Sequence, residues 1–289
     1  MTPLSPLRRV LQLPIAWLIV GMIAVGGAYA LIISPAAVAG PVGTVMLPLI
    51  GVIVGLLIYR FVMRRLAGRA VPELSRTRSL FETVFGIEVG LVFIAVSVAT
   101  IALLGGYSFE WAPTDALAVI TTVVVANIGA AVIEELVFRG LALQALEKLG
   151  GSWAALAGTS LLFGIMHLAN PGATLWSAFA IALEAGVLLG SAFLWRRSLW
   201  FAIGLHFAWN TTEGLLGIPI SGIASPGLFT VTVNGSPLLT GGAFGLEASI
   251  VPVAVSVLLS IPMLVLAHRR GNIVLRSPAR RQTTAIVGS

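Results

Sequence analysis

Long uninterrupted apolar runs leave this chain few folds to choose from. Residues 13–34, 43–63, 81–104, 117–147, 153–169, 174–195, 199–217 and 246–267 each form such a run, and a hydrocarbon core of about 30 Å takes about 20 helical residues to cross. With no water in the bilayer to satisfy backbone N–H and C=O groups, a spanning segment must be a helix or part of a closed barrel. The runs are continuous rather than alternating, which argues against a barrel. The expected fold is therefore all-α, a polytopic transmembrane helix bundle of about eight spans. Composition agrees: 58% of the 289 residues are hydrophobic and 10% are charged, against about 25% charged in ordinary soluble domains.

The basic residues orient the bundle. Arg8 and Arg9, the set from Arg60 to Arg78, Arg139 with Lys148, Arg196 and Arg197, and the set from Arg269 to Arg281 account for all 17 Lys and Arg. With about eight spans, every one except Arg139 falls at or near one side, which the positive-inside rule makes the cytoplasm, so both termini are expected there. The stretches 105–115 and 218–245 on the other side contain neither Lys nor Arg. A net charge of +6 then describes contact with anionic membrane lipids rather than with nucleic acid. Ala37-Val38-Ala39 resembles a cleavage site, but the run before it is longer than the usual 7 to 15 apolar residues, so the first span reads as an uncleaved anchor. The absence of cysteine excludes disulfides, Cys-ligated clusters and thiol nucleophiles.

The Arg-rich stretch 64–78, which contains Pro72, divides the chain into a two-span region (1–79), a main helix bundle (80–268) and a basic cytoplasmic tail (269–289). A short interfacial helix is expected within that stretch. In the loop 218–245, the segment from Phe229 to Gly235 reads as a short strand entering a turn, and the loop as a whole as an extracytoplasmic cap.

Charges inside the fourth run point to chemistry. Glu134, Glu135 and Arg139 interrupt a stretch that is otherwise apolar from Leu117 to Leu146, and a charge in lipid costs several kcal/mol unless paired or wetted. Residues four apart share a helical face, so Glu135 can pair with Arg139 while Glu134 points about 100° away. His167 sits near the end of the fifth run, just before Asn170-Pro171, and His206 is followed by Asn210 and then Glu213 along one face. Counted from the cytoplasmic ends, Glu134, His167, His206 and Asn210 lie at roughly 21, 22, 12 and 18 Å, so they can meet in one layer of the bundle. Two chemistries fit. Glu134 and one histidine can activate a water against a peptide carbonyl while the other histidine and Asn210 donate to the oxyanion; or Glu134, His167 and His206 can hold Zn²⁺ in an open three-ligand site. The sequence leaves open whether the cofactor is Zn²⁺ or none. There is no Gly-x-Ser-x-Gly motif, and the single aspartate, Asp115, falls in a loop, which argues against serine and aspartyl mechanisms.

The ordered set Glu134-Glu135 with Arg139, Phe163 with His167, and His206 with Asn210 resembles the CPBP family of intramembrane proteases, which includes type II CAAX prenyl endopeptidases and the Abi-like bacterial proteins of bacteriocin processing and self-immunity. The likeness runs from about Leu80 to Leu266, and the segment from Leu239 to Ser249 resembles a tail found in many bacterial members. The resemblance implies an intramembrane endopeptidase, of glutamate or metalloprotease type, in a bacterial cell membrane, acting on a hydrophobic or lipidated peptide. It implies that Glu134 is the catalytic carboxylate and His167 its partner, that His206 and Asn210 stabilise the oxyanion, and that Glu135 with Arg139 organises the site. Glu184 and Glu213 lie outside the motifs and are expected to shape the cavity or pair with a nearby polar group. A proton-coupled transporter would also bury ionisable groups in the membrane, although no inverted repeat is evident; a non-catalytic immunity or scaffold protein is the third reading.

Overall fold

A computed structural model describes residues 6–36 and 38–275. Arg8's side chain, Ala37 and the tail beyond residue 275, with Arg276, Arg280 and Arg281, lie outside the described residues. The chain is mostly helical. A short α1 (Pro6–Leu11) precedes α2 (Pro14–Ile33), which starts on a proline at its first turn, where the missing N–H has no intrahelical partner to lose. Helix α3 (Gly40–Phe61) runs on through a π turn, Val62–Leu66. The Arg-rich connection that follows holds only a 3₁₀ turn, Pro72–Leu74, in place of the expected interfacial helix.

Helix α4 (Ser79–Leu103) leads into strand β1 (Tyr107–Trp111), and α5 (Ala116–Glu135) begins where Asp115 caps the backbone N–H groups of Leu117 and Ala118 at 3.1 and 3.2 Å. Helix α5 passes through a π turn, Leu136–Leu143, into α6 (Gln144–Met166). At Gly151 the backbone turns to φ 81°, ψ 171°, a conformation open to glycine and strained for other residues, so the rod breaks there. Helix α7 (Leu175–Ile181), opened by a Thr174–Ser177 capping box, continues through a third π turn, Ala182–Leu189, into α8 (Gly190–Arg196). Then come α9 (Leu199–Leu215), strand β2 (Phe229–Val233), α10 (Pro237–Thr240) and α11 (Ile250–Arg269).

Among the described residues six helices are long and apolar enough to cross a membrane, one of them the 54-residue rod from Ala116 to Ala169 that breaks at Gly151. Helix α9 has 17 residues and is buried on nearly all sides, which makes it the axis of the bundle. It packs tightly on α4: a Cβ at Gly86 would come within 2.2 Å of the Phe201 carbonyl oxygen, and one at Gly204 within 2.3 Å of that of Thr83. Backbone meets backbone only because those side chains are missing, as in close helix pairs generally.

Two differences from the expected architecture concern the cap. Strand β2 forms as expected, but its antiparallel partner is β1, in a segment expected to be a loop, with Tyr107 opposite Val233 and Trp111 opposite Phe229. That pairing joins positions more than a hundred residues apart, which no local pattern announces. The last span starts at Ile250 rather than 246, because Leu246–Ala248 forms a 3₁₀ turn and the Ser249 hydroxyl caps the helix by accepting from Val251 N at 3.1 Å.

Outside Arg139, several basic residues at the arginine-rich end of the bundle lock its helices together. Arg196 of α8 pairs with Glu82 of α4 at 2.5 Å, Arg197 with Glu147 of α6 at 2.7 Å, and Lys148 lies 5.7 Å from the Trp17 ring of α2. The β1–β2 ribbon and the 218–249 loop close the other end, tied down by Tyr107, whose hydroxyl donates to the Thr240 carbonyl at 2.5 Å.

Candidate active site

The π turn after α5 carries a fully buried charge network. Glu135 has no exposed surface and Arg139 2%; Arg139 donates to Glu135 Oε1 at 2.7 Å and to the carbonyl of Ala185 in the π turn after α7. His206 Nδ1–H donates to the same Glu135 oxygen at 3.0 Å. One carboxylate oxygen thus joins α5, α9 and, through Arg139, the chain around Ala185. The guanidinium also lies 5.2 Å from the Phe163 ring centroid, and the His167 ring stacks on Phe163 at 4.6 Å between centroids. Phe163 therefore spaces a cation from a histidine, which is a reason for a phenylalanine four residues before that histidine.

Glu134 takes the other direction, as helical geometry requires. Its side chain is 34% exposed, and Oε2 is 3.9 Å from His206 Nε2. It lines a cavity of about 470 Å³ together with His167, His206 and Asn210. All four residues singled out from three separate apolar runs are thus brought to one hollow. Both histidines are fixed from behind: His167 Nδ1–H donates to the Phe163 carbonyl at 2.7 Å, which leaves Nε2 as the nitrogen not engaged by that bond. On His206 the second nitrogen is taken too, by Asn210 Nδ2, which donates to Nε2 at 3.2 Å.

That occupancy bears on zinc. Among the described residues no group of three His, Cys, Asp or Glu side chains is placed to hold a metal ion. With both His206 nitrogens hydrogen-bonded, the set Glu134, His167 and His206 does not fit a three-ligand zinc centre in this arrangement.

The cavity also has a wall that the motifs do not mention. Glu247, in the 3₁₀ turn before α11, is 4% exposed and lines the hollow; its Oε2 accepts from Ser221 N at 2.5 Å and from the Ser221 hydroxyl at 2.7 Å. Burial raises the Glu247 carboxyl above the usual range, and the Ser221 hydrogen bonds and the nearby His167 and His206 only partly offset this. Asn170 donates to the Ser221 carbonyl at 2.9 Å, joining the end of the histidine-bearing helix to the same loop. Glu184 and Glu213 differ in how they meet the expectation: Glu213 has a polar neighbour in the Trp209 indole, and Glu184 has no hydrogen-bond partner among the described residues. Neither lines the cavity, both have no exposed surface, and none of their four oxygens has a hydrogen-bond partner among the described residues.

With the geometry in place, the chain can be compared with known proteins. Residues 116–212 match the type II CAAX prenyl endopeptidase Rce1-like family. The Rce1-like segment runs from the start of α5 to two residues past Asn210 and so contains all three motifs. Neither a curated protein nor a solved structure matches the chain. Glu247 and Ser221 lie beyond the matched segment, so this wall of the cavity is supplied by chain outside it.

Proposed function

We propose that this protein is an intramembrane endopeptidase that hydrolyses a peptide bond in a hydrophobic or lipidated segment with a water activated by Glu134. The observation that carries the reading is the divided labour of two adjacent carboxylates: Glu135 is bound on the buried side by Arg139 and His206, and Glu134 faces the cavity beside both histidines. The Rce1-like match supports the reaction class.

In this mechanism Glu134 accepts a proton from water as the oxygen attacks the scissile carbonyl. The tetrahedral oxyanion meets Asn210, whose amide has a second N–H besides the one given to His206; His206, anchored through Nδ1 on Glu135, holds that amide in place through Nε2. His167 Nε2, the free nitrogen of a ring held by Phe163, relays the proton to the departing amine, so that water is consumed and a carboxylate and an amine are left. Arg139 and Glu135 touch no reacting atom; they hold His206 in place and set its Nδ1 as donor. No step is routed through a metal. The same reading gives about eight crossings, with the rod from Ala116 to Ala169 crossing twice around Gly151, α9 crossing as a short buried span, and both termini on the arginine side.

The test is cleavage of apolar and lipidated peptides by purified protein, read by mass spectrometry. Glu134→Gln is expected to lower the rate at least 100-fold, as loss of a general base does, with an unchanged thermal melting curve. Asn210→Ala is expected to cost about 10²–10³ in kcat, as removal of one oxyanion donor does, and chelation with EDTA is expected to leave the rate unaltered. Full cleavage by Glu134→Gln overturns the mechanism; loss of activity on chelation that zinc restores overturns its metal-free form.

A further inference from the structure

The direction in which the cavity runs bears on the kind of substrate, given the endopeptidase reading above. Ala118, Thr122, Ala126, Ala130 and Glu134 all line it and stand four apart, so they form one row along α5. That row is about 24 Å long at 1.5 Å per residue and leads from Glu134 to the first turn of the helix, beside the cap. Its far end is faced by Ile223, Ser225 and Pro226 of the 218–249 loop, all three exposed. No Lys or Arg lines it. The arginines lie at the other end of the bundle, where Arg196 ties α8 to α4, Arg197 pairs with Glu147 of α6, and Lys148 of α6 meets Trp17 of α2. A row of small uncharged side chains leaves room for an extended apolar chain of about seven residues at about 3.3 Å each. A substrate tail carrying several negative charges would lose its hydration there without a partner.

We infer that the substrate reaches Glu134 from the face opposite the arginines, as an extended apolar segment of an exported or membrane-anchored polypeptide on the extracytoplasmic side. By the positive-inside rule the arginine end is cytoplasmic, so a cytoplasmic C-terminal tail of the CAAX kind stands at the wrong end of the bundle. Small side chains at Ala118, Ala126 and Ala130 set the width of the channel, and the loop around Ser225 forms its mouth.

The chain has no cysteine, so single cysteines report the two faces cleanly. Ser225→Cys at the mouth and Thr77→Cys at the arginine end are labelled in intact cells with a membrane-impermeant maleimide. Labelling of Ser225→Cys at least tenfold above Thr77→Cys, equalised by lysis, is expected; the reverse pattern overturns the inference while leaving the endopeptidase reading intact. In parallel, peptide termini are compared by proteomics between cells expressing wild type and Glu134→Gln. New termini within extracytoplasmic or exported segments are the expected result, and new termini confined to cytoplasmic tails overturn it. No difference in termini, together with no cleavage by the purified protein, removes the endopeptidase reading and this inference with it, whatever the labelling shows.

Discussion

The network around Glu135 and the acidic cluster of Glu184, Glu213 and Glu247 both bury carboxylates beside the same cavity, yet they are built differently. Around Glu135 the charges alternate, and one oxygen takes both Arg139 and His206. In the cluster three acids lie close enough to act on one another's charge, and only Glu247 has hydrogen-bond donors. The Trp209 indole lies beside Glu213 and eases its burial, without a well-aligned hydrogen bond between them. A buried ion pair fixes geometry at the risk of a large penalty if either partner is lost, whereas side chains that make no specific bond can be exchanged with little loss. The first design suits a histidine that must be aimed; in the second, Ser221 holds Glu247 alone, and Glu184 and Glu213 are held by packing.

The largest effect should come from breaking the first. Arg139→Met leaves the Glu135 carboxylate buried without its counter-charge, which typically costs about 3–5 kcal/mol. It is expected to lower thermal stability sharply and, in the fraction that folds, to reduce cleavage, because His206 loses the partner that orients it. Chemical denaturation followed by tryptophan fluorescence measures the first effect. A loss below about 1 kcal/mol would mean that the two regions are not different in kind.

This contrast shows how far the sequence could be read. Helix positions follow from apolar runs, and the pairing of Glu135 with Arg139 follows from their spacing, because both are local properties of one helix. The meeting of Glu134, His167, His206 and Asn210 was accessible by counting turns, since each side chain's height is set by its distance from a helix end. The π turn at Leu136–Leu143 and the β1 strand were not: a π turn leaves the apolar run unbroken, and the strand depends on a partner far along the chain. Glu247 was the largest omission. It sits in a glycine-rich cap with no helical register to count from, and only the return of that loop to Ser221 places it over the histidines.

Two acids outside the spanning helices sharpen the comparison through pH. Burial works against ionisation of Glu73, but hydrogen bonds and charge from Arg69, with the Tyr59 hydroxyl, outweigh it and lower its carboxyl. The folded chain therefore holds that proton less tightly than the unfolded chain, so the stability Glu73 contributes is present above the ordinary carboxylate range and is lost as pH falls through its lowered value. Glu247 has the opposite sign: its raised carboxyl holds the proton more tightly when folded, so stability falls as pH rises from the ordinary range toward the raised value. Melting curves across pH should show Glu73→Gln flattening the acid limb and Glu247→Gln flattening the decline on the other side. Ser221→Ala, which removes the hydroxyl bond to Glu247, should cost about 1–2 kcal/mol.

The smallest effect belongs to the interior of the acidic cluster. Glu184→Gln keeps shape and volume and breaks no hydrogen bond, because neither Glu184 oxygen has a partner among the described residues. A change within about 1 kcal/mol is expected, measured beside Glu135→Gln, which strands Arg139 and should cost several times more. The pair of amide substitutions isolates the difference, since the same chemical change is made in two fully buried places. If Glu184→Gln proved as costly as Glu135→Gln, the cluster would have to contain a bonded partner for Glu184, and the view of it as permissive packing would give way to a second organised polar site behind the cavity wall.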